Sequence, residues 1–154
     1  YDKRMPAMFI MAAFWVLDQW RSVNGPLSAE DRAISRTIAT ELACPHTNMN
    51  RDVIQFFGGN SSGHPLTAVL NSIANSLFMR FAYHMIGYDV NTFKENVSLL
   101  TLGDDNIMGS RLDGFNHTSI SNVLGEYDVL YTMAQKDALS VPFINIEDAD
   151  FLKR

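Results

Sequence analysis

The chain has 154 residues, a length that suits one domain with a substantial apolar core. Its formal net charge of −5 argues against a protein that binds nucleic acid by itself, because such binding depends mainly on cationic side chains that neutralise phosphates. Cys44 is the single cysteine, which excludes an internal disulfide, predicts a reducing compartment and leaves no ligand set for zinc.

The first sixty residues predict two helices and a strand. Apolar side chains recur at helical spacing over residues 6–20. The longest apolar stretch, about residues 5–17, is too short to cross a bilayer. Ser28 is a typical N-cap with acidic residues in the turn that follows, and it predicts a second helix that runs to about Ala43. Residues 53–57 predict a strand that leads into two glycines.

A long helix is predicted over residues 65–86, with Gly87 as the residue that ends it. Thr67, Asn71 and Asn75 are spaced four residues apart, so they share one face of this largely apolar helix. Polar side chains in such surroundings need hydrogen-bond partners, because burial without partners is costly. The three side chains therefore form either a satisfied structural face or part of a functional site.

Two adjacent carboxylates follow an apolar run at residues 97–102. The sequence from Gly103 to Asn106 tolerates turn geometry, and apolar residues resume at once, which predicts a β-hairpin. Asp104 and Asp105 would lie at its tip, where two like charges repel unless a hard cation such as Mg²⁺ or Mn²⁺ neutralises them. Taken alone, the same residues also fit an ordinary polar turn.

The last third predicts a helix over residues 119–127 and strands over residues 129–133, 141–146 and 151–152. The acidic residues between 147 and 150 are expected in a solvated turn. Together with the earlier helices, these elements predict an α+β fold in which helices pack on one face of an antiparallel sheet.

Two of these segments resemble motifs of viral RNA-dependent RNA polymerases. Ser62-Gly63, Thr67 and Asn71 fit the S-G-x-x-x-T-x-x-x-N pattern of motif B, and Leu-Gly-Asp-Asp at residues 102–105 resembles motif C. Their order and separation are similar to those in picorna-like positive-strand RNA viruses. The resemblance implies the palm fold of these enzymes.

Three further segments agree with the same family. Residues 131–136 resemble motif D, residues 151–154 resemble motif E, and residues 1–4 resemble the end of motif A. The first aspartate of motif A would precede Tyr1, and Leu102 stands where many relatives carry tyrosine. The Leu102 departure leaves the Gly-Asp-Asp carboxylates intact, whereas the missing aspartate would leave the metal site incomplete in this chain.

The resemblance implies a template-directed, two-metal transfer of ribonucleotides to an RNA 3′-hydroxyl in viral genome replication. Asp104 and Asp105 would be catalytic residues and ligands of two Mg²⁺ or Mn²⁺ ions, together with the motif A aspartate that would precede the chain. Lys136 stands at the motif D lysine and would donate a proton to pyrophosphate as a general acid.

Nucleotide binding is implied for a second group of residues. Asp2, which matches the second aspartate of motif A, and Asn71 would recognise the ribose hydroxyls, because an acid and an amide together can accept from and donate to a 2′-hydroxyl. Thr67 and Ser62 would lie nearby, and Gly63 would let the loop approach the substrate.

The expected partners follow from these roles. Lys153 and Arg154 would contact the primer backbone, so template and primer RNA and ribonucleoside triphosphates are expected partners, in the host cytoplasm at viral replication complexes. Residues 1–154 are interpreted as a partial palm domain with a small fingers-proximal insertion around residues 20–60. The remaining fingers and thumb would be further partners, and the chain is expected to be inactive by itself.

Two alternatives stay open at this point. A reverse transcriptase palm would share the acid pair, but that family carries a Y-x-D-D core and lacks this motif B. A non-enzymatic α+β interaction domain would use Gly-Asp-Asp only as a turn.

Overall fold

A computed structural model describes residues 5–135 and 137–152. Its helices and strands, in chain order, are α1 (Ala7–Ser22), α2 (Ala29–Ala43), β1 (His46–Met49), β2 (Asp52–Gln55), α3 (Thr67–Ile86), α4 (Phe93–Asn96), β3 (Val97–Leu102), β4 (Asp105–Ser110) and α5 (His117–Gly125). Single 3₁₀ turns lie at Val90–Thr92 and Ile146–Asp148. The chain forms two compact units that divide between Ala74 and Asn75, within α3.

In the first unit, α1 and α2 pack against each other. The Ser35 hydroxyl of α2 donates a hydrogen bond to the Asp18 carboxylate of α1 at 2.8 Å. Helix α2 begins with a capping box, because Ser28 Oγ accepts from the Asp31 amide while the Asp31 carboxylate accepts from the Ser28 amide. The Asp31 carboxylate accepts hydrogen bonds from both the hydroxyl and the amide of Ser28, and these two bonds hold the pKa of Asp31 below its usual value. The predicted N-cap is confirmed.

A short hairpin of β1 and β2 follows, and only its second strand was predicted. His46 pairs with Gln55 and Met49 with Asp52 in an antiparallel ladder. The connecting residues Asn50 and Arg51 have φ values of 53° and 79°, the geometry of a two-residue type I′ turn. Strand β1 consists largely of polar residues and is exposed throughout, so it carries no apolar alternation from which to predict it.

Helix α3 and the β3–β4 hairpin agree with the prediction. The helix ends at Ile86, and Gly87 follows with a φ of 110°, a conformation that glycine adopts without strain. Leu102 pairs with Asp105, which leaves Gly103 and Asp104 as a two-residue turn. Gly103 has a φ of 61° at the first turn position, where a type II′ turn requires glycine.

The strands predicted over residues 129–133, 141–146 and 151–152 are wrong. Backbone groups of the first two segments bind α5 instead of a strand: the Val129 amide donates to Leu124 O, and Pro142 O accepts from the His117 amide. Leu152 has a φ of 60°, which lies outside the extended region. Among the described residues, the antiparallel sheet is therefore two separate two-stranded sheets, and the fold is α+β.

The core of the second unit is aromatic. Tyr83 of α3, Phe93 of α4 and Phe115 before α5 are fully buried. The Tyr83 ring meets those of Phe93 and Phe115 edge-on, with centroids 5.2 and 5.1 Å apart, which is a favourable arrangement for aromatic pairs. None of the helices in the described part of the chain is long and apolar enough to span a membrane.

Replacing Phe115 with alanine should lower the free energy of unfolding by about 3–5 kcal/mol, because the change removes a fully buried ring and leaves a cavity. Phe143→Ala is the matched control, since that ring is 53% exposed and its loss should change stability by no more than about 0.5 kcal/mol. Urea denaturation followed by circular dichroism measures both. Equal effects of the two substitutions would contradict the assigned core.

Candidate functional site

The acid pair lies at the tip of the β3–β4 hairpin. Asp104 occupies the second turn position and Asp105 begins β4, and both side chains are exposed. Adjacent exposed carboxylates offer hard oxygen ligands of the kind that Mg²⁺ and Mn²⁺ prefer. Within residues 5–135 and 137–152, however, no cluster of three or more metal-ligating side chains is formed. The pair therefore fits a divalent ion as a partial ligand set.

Asn75 of α3 binds the main chain of this turn. Its side chain is 2% exposed, and Nδ2 donates to Asp104 O at 2.9 Å and Asp105 O at 3.2 Å, with Gly103 O at 3.5 Å. The buried amide thus ties the segment that carries both carboxylates to α3. The prediction that Asn75 must find partners is confirmed.

Two residues that sequence reasoning missed extend this contact. Asn106 Nδ2 donates to Asn75 Oδ1 at 2.9 Å, and the Tyr131 hydroxyl donates to Asn106 Oδ1 at 2.9 Å. Burial raises the pKa of Tyr131 to about 12, so this hydroxyl stays protonated at neutral pH. Asn106 directly follows the acid pair, so the sequence offered a signal for this residue. Tyr131 was assigned to a predicted strand at residues 129–133, and that assignment gave no reason to expect a contact with Asn106.

The glycine-rich loop before α3 contains a second amide contact. Asn60 is 1% exposed, and its Nδ2 donates to Asn71 Oδ1 at 2.8 Å and to Thr67 O at 3.2 Å. The Thr67 hydroxyl donates to Ser61 O at 2.8 Å. Thr67 and Asn71 therefore have the partners that their positions on α3 require, and Asn60 was not predicted to supply one of them.

These contacts fix the orientation of the Asn71 amide. Because Asn60 donates to Oδ1 of Asn71, the oxygen of the Asn71 amide faces Asn60, and the donor Nδ2 is directed away from it. Asn60 Oδ1 is itself buried and has no hydrogen-bond partner within the described residues. Ser62 is exposed, and Gly63 has a φ of 92°, so the loop needs glycine at that position.

Four predicted site residues lie outside the described residues: Asp2, Lys136, Lys153 and Arg154. Their roles stay predictions. His64, which was not assigned a function, accepts a hydrogen bond at Nδ1 from the Leu66 amide at 3.1 Å, an arrangement typical of a local loop contact.

Comparison with known proteins decides the family. The family model described as viral RNA-dependent RNA polymerase matches residues 1–154, the whole chain. The chain belongs to the viral RNA-dependent RNA polymerase family. The segments that resemble motifs B and C agree with this family, and the reverse transcriptase alternative loses its support.

Similar proteins come from picorna-like viruses. The chain is 33% identical to the replicase polyprotein of Drosophila C virus over 169 aligned positions, which cover all of the chain and 10% of that polyprotein. It is 31% identical to the genome polyprotein of deformed wing virus (90% of the chain, 5% of that polyprotein). It is also 31% identical to the RNA1 polyprotein of cherry rasp leaf virus (79% and 6%). The chain spans a tenth or less of the length of these relatives.

Asn60→Ala should lower the free energy of unfolding by about 1–3 kcal/mol, because the substitution takes the donor away from Asn71 Oδ1 and Thr67 O in a buried position. Ser62→Ala is the control in the same loop, since its side chain is exposed and its loss should have almost no effect on stability. Chemical denaturation measures both variants. If the two unfold with the same midpoint, the contact between Asn60 and α3 does not stabilise the fold.

Proposed function

We propose that this chain forms part of the catalytic domain of an RNA-directed RNA polymerase, which joins ribonucleotides to an RNA 3′-hydroxyl in viral replication. The observation that carries the proposal is the Gly-Asp-Asp sequence at an exposed hairpin tip, in a chain that matches the polymerase family over its full length. Exposure matters, because carboxylates that hold ions for a bound nucleotide must be reachable from solvent.

Asp104 and Asp105 would hold Mg²⁺ or Mn²⁺ in this role, together with an acid that is not among the described residues. Bound ions would supply electrostatic stabilisation of the charge that develops during phosphoryl transfer. The contribution of the protein is to place the two carboxylates, and the turn at Gly103 and Asp104 fixes the backbone from which both side chains extend.

Ribose recognition is proposed for Asp2 and Asn71. The hydrogen bond from Asn60 to Oδ1 sets the orientation of the Asn71 amide, whose Nδ2 is a donor of the kind that a carboxylate or a ribose hydroxyl accepts from. The Thr67 hydroxyl donates to Ser61 O and keeps its lone pairs as acceptors beside the same helix face. Selection of ribonucleotides would follow from the polar group that a deoxyribonucleotide leaves unpaired.

Cationic residues complete the proposal. Lys136 would donate a proton to the departing pyrophosphate, and Lys153 and Arg154 would bind the primer backbone. RNA template, primer and ribonucleoside triphosphates are the proposed partners, together with the fingers and thumb of the polymerase.

In the full-length polymerase that carries this segment, Asp104→Asn should reduce nucleotide incorporation to background, because a neutral amide is a much weaker ligand for a hard cation than a carboxylate. Asp105→Asn should impair incorporation less completely, with partial recovery in Mn²⁺. Primer extension with a labelled ribonucleotide, at several Mg²⁺ and Mn²⁺ concentrations, is the measurement.

Asp128→Asn provides the control for loss of one negative charge. Asp128 is exposed and has a φ of 58°, a backbone conformation that asparagine adopts readily, so this variant should extend primers at the normal rate. Normal Mg²⁺-dependent turnover by Asp104→Asn would refute the proposed function.

Asn71→Ala should lower ribonucleotide incorporation much more than deoxyribonucleotide incorporation. The expected loss of discrimination is about 1–3 kcal/mol, the free-energy cost of a polar group left without its partner. Competition between ATP and dATP in the full-length enzyme measures the ratio. Ser72→Ala is the control, because the Ser72 hydroxyl donates to Ala68 O within α3. An unchanged ratio in Asn71→Ala would leave Asn71 with a structural role alone.

A further inference from the structure

The side chains of Tyr131, Asn106 and Asn75 form a continuous chain of hydrogen bonds, here named the relay, that ends at the main chain of the Gly-Asp-Asp turn. Tyr131 donates to Asn106, Asn106 donates to Asn75, and Asn75 donates to the main-chain carbonyls of Asp104 and Asp105. Both links between side chains, and the shortest contact to the turn, are 2.9 Å long. The relay thus connects the segment after α5 with the backbone that carries the acid pair.

The direction of the relay is fixed at the turn. Main-chain carbonyls can only accept, so Asn75 must direct Nδ2 toward them and Oδ1 toward Asn106. Asn106 must then direct Nδ2 toward Asn75, which leaves Oδ1 for Tyr131. The last group must be a donor, and a protonated phenol satisfies that requirement.

Packing holds the donor in place. The Tyr131 ring is stacked on the imidazole of His117, with centroids 4.8 Å apart and an angle of 27° between the planes. His117 Nδ1 is hydrogen-bonded to Ser140 Oγ at 2.8 Å, and Ser121 Oγ donates to Tyr131 O at 3.0 Å. The ring and the backbone of Tyr131 are therefore both attached to α5.

We infer that Asn75, Asn106 and Tyr131 are positioning residues for the acid pair, with Tyr131 acting on Asp104 and Asp105 through the two amides. The inference rests on the proposed function, since it assigns these residues to the geometry of the same carboxylates. Residues that orient metal ligands through hydrogen bonds typically contribute about 10–100-fold to metal affinity or activity.

Tyr131→Phe in the full-length polymerase isolates the relay, because it removes the donor and keeps the ring that stacks on His117. The expected result is a kcat about 10-fold lower and a higher Mg²⁺ concentration for half-maximal activity, with the KM for ribonucleotide within about twofold of normal. The melting temperature should change little. A purely structural role would lower the melting temperature and leave the Mg²⁺ requirement unchanged.

Tyr127→Phe is the matched control. The Tyr127 ring packs edge-on against Phe81 with centroids 5.0 Å apart, and its hydroxyl has no hydrogen bond within the part of the chain that the structure describes. Removing this hydroxyl should leave kcat, KM and the Mg²⁺ requirement at their normal values.

A double-variant cycle tests whether Tyr131 acts through Asn106. Asn106→Leu removes both amide hydrogen bonds at similar volume, and Asn106→Leu combined with Tyr131→Phe should be no slower than Asn106→Leu alone. Additive losses, or Tyr131→Phe kinetics equal to those of Tyr127→Phe, would overturn the inference. Asp104→Asn, assayed beside these variants, distinguishes the two hypotheses. An active Asp104→Asn variant would refute the proposed function. An inactive Asp104→Asn variant together with normal kinetics of Tyr131→Phe would refute only the positioning role of the relay.

Discussion

The hydrogen bonds from the buried Asn75 amide to the Gly-Asp-Asp turn are the interaction on which the candidate metal site depends. The main-chain carbonyls at a hairpin turn can accept hydrogen bonds from side chains outside the hairpin. Asn75 supplies one amide nitrogen to Asp104 O and Asp105 O. The position of the carboxylates therefore depends on a side chain of α3 as well as on the turn itself.

Neutral amides suit this task better than charged side chains would. A lysine at the place of Asn75 could also donate to the carbonyls, but its charge would compete with a cation held by the adjacent acids. An amide donates on one side and accepts on the other, so it can be linked to a further donor without any net charge. In the first unit, a similar hydrogen bond between two amides joins Asn60 of the glycine-rich loop to Asn71 of α3.

Much of the fold could be predicted because its local chemistry is distinctive. The Ser28 N-cap, the glycine after α3 and the Gly-Asp-Asp turn each require particular residue types, and those residues are present. The β1–β2 hairpin could not be predicted in the same way, since its first strand is polar and exposed and Arg51 occupies a left-handed turn position that rarely takes arginine. The apolar residues after Gly125 have strand-like composition, but their backbone groups bind α5.

The candidate metal ligands could be predicted from the sequence, whereas the residues that form hydrogen bonds around the site could not. Spacing on a helix reveals which polar residues share a face, so Asn71 and Asn75 could be singled out, whereas their partners come from a loop and from a distant segment. Partners from a loop or a distant segment do not recur at helical spacing, so the periodicity of the sequence does not reveal them. The relay that results contains asparagines, which do not titrate, and a tyrosine whose pKa burial raises to about 12. Its hydrogen bonds are therefore insensitive to pH in the neutral range.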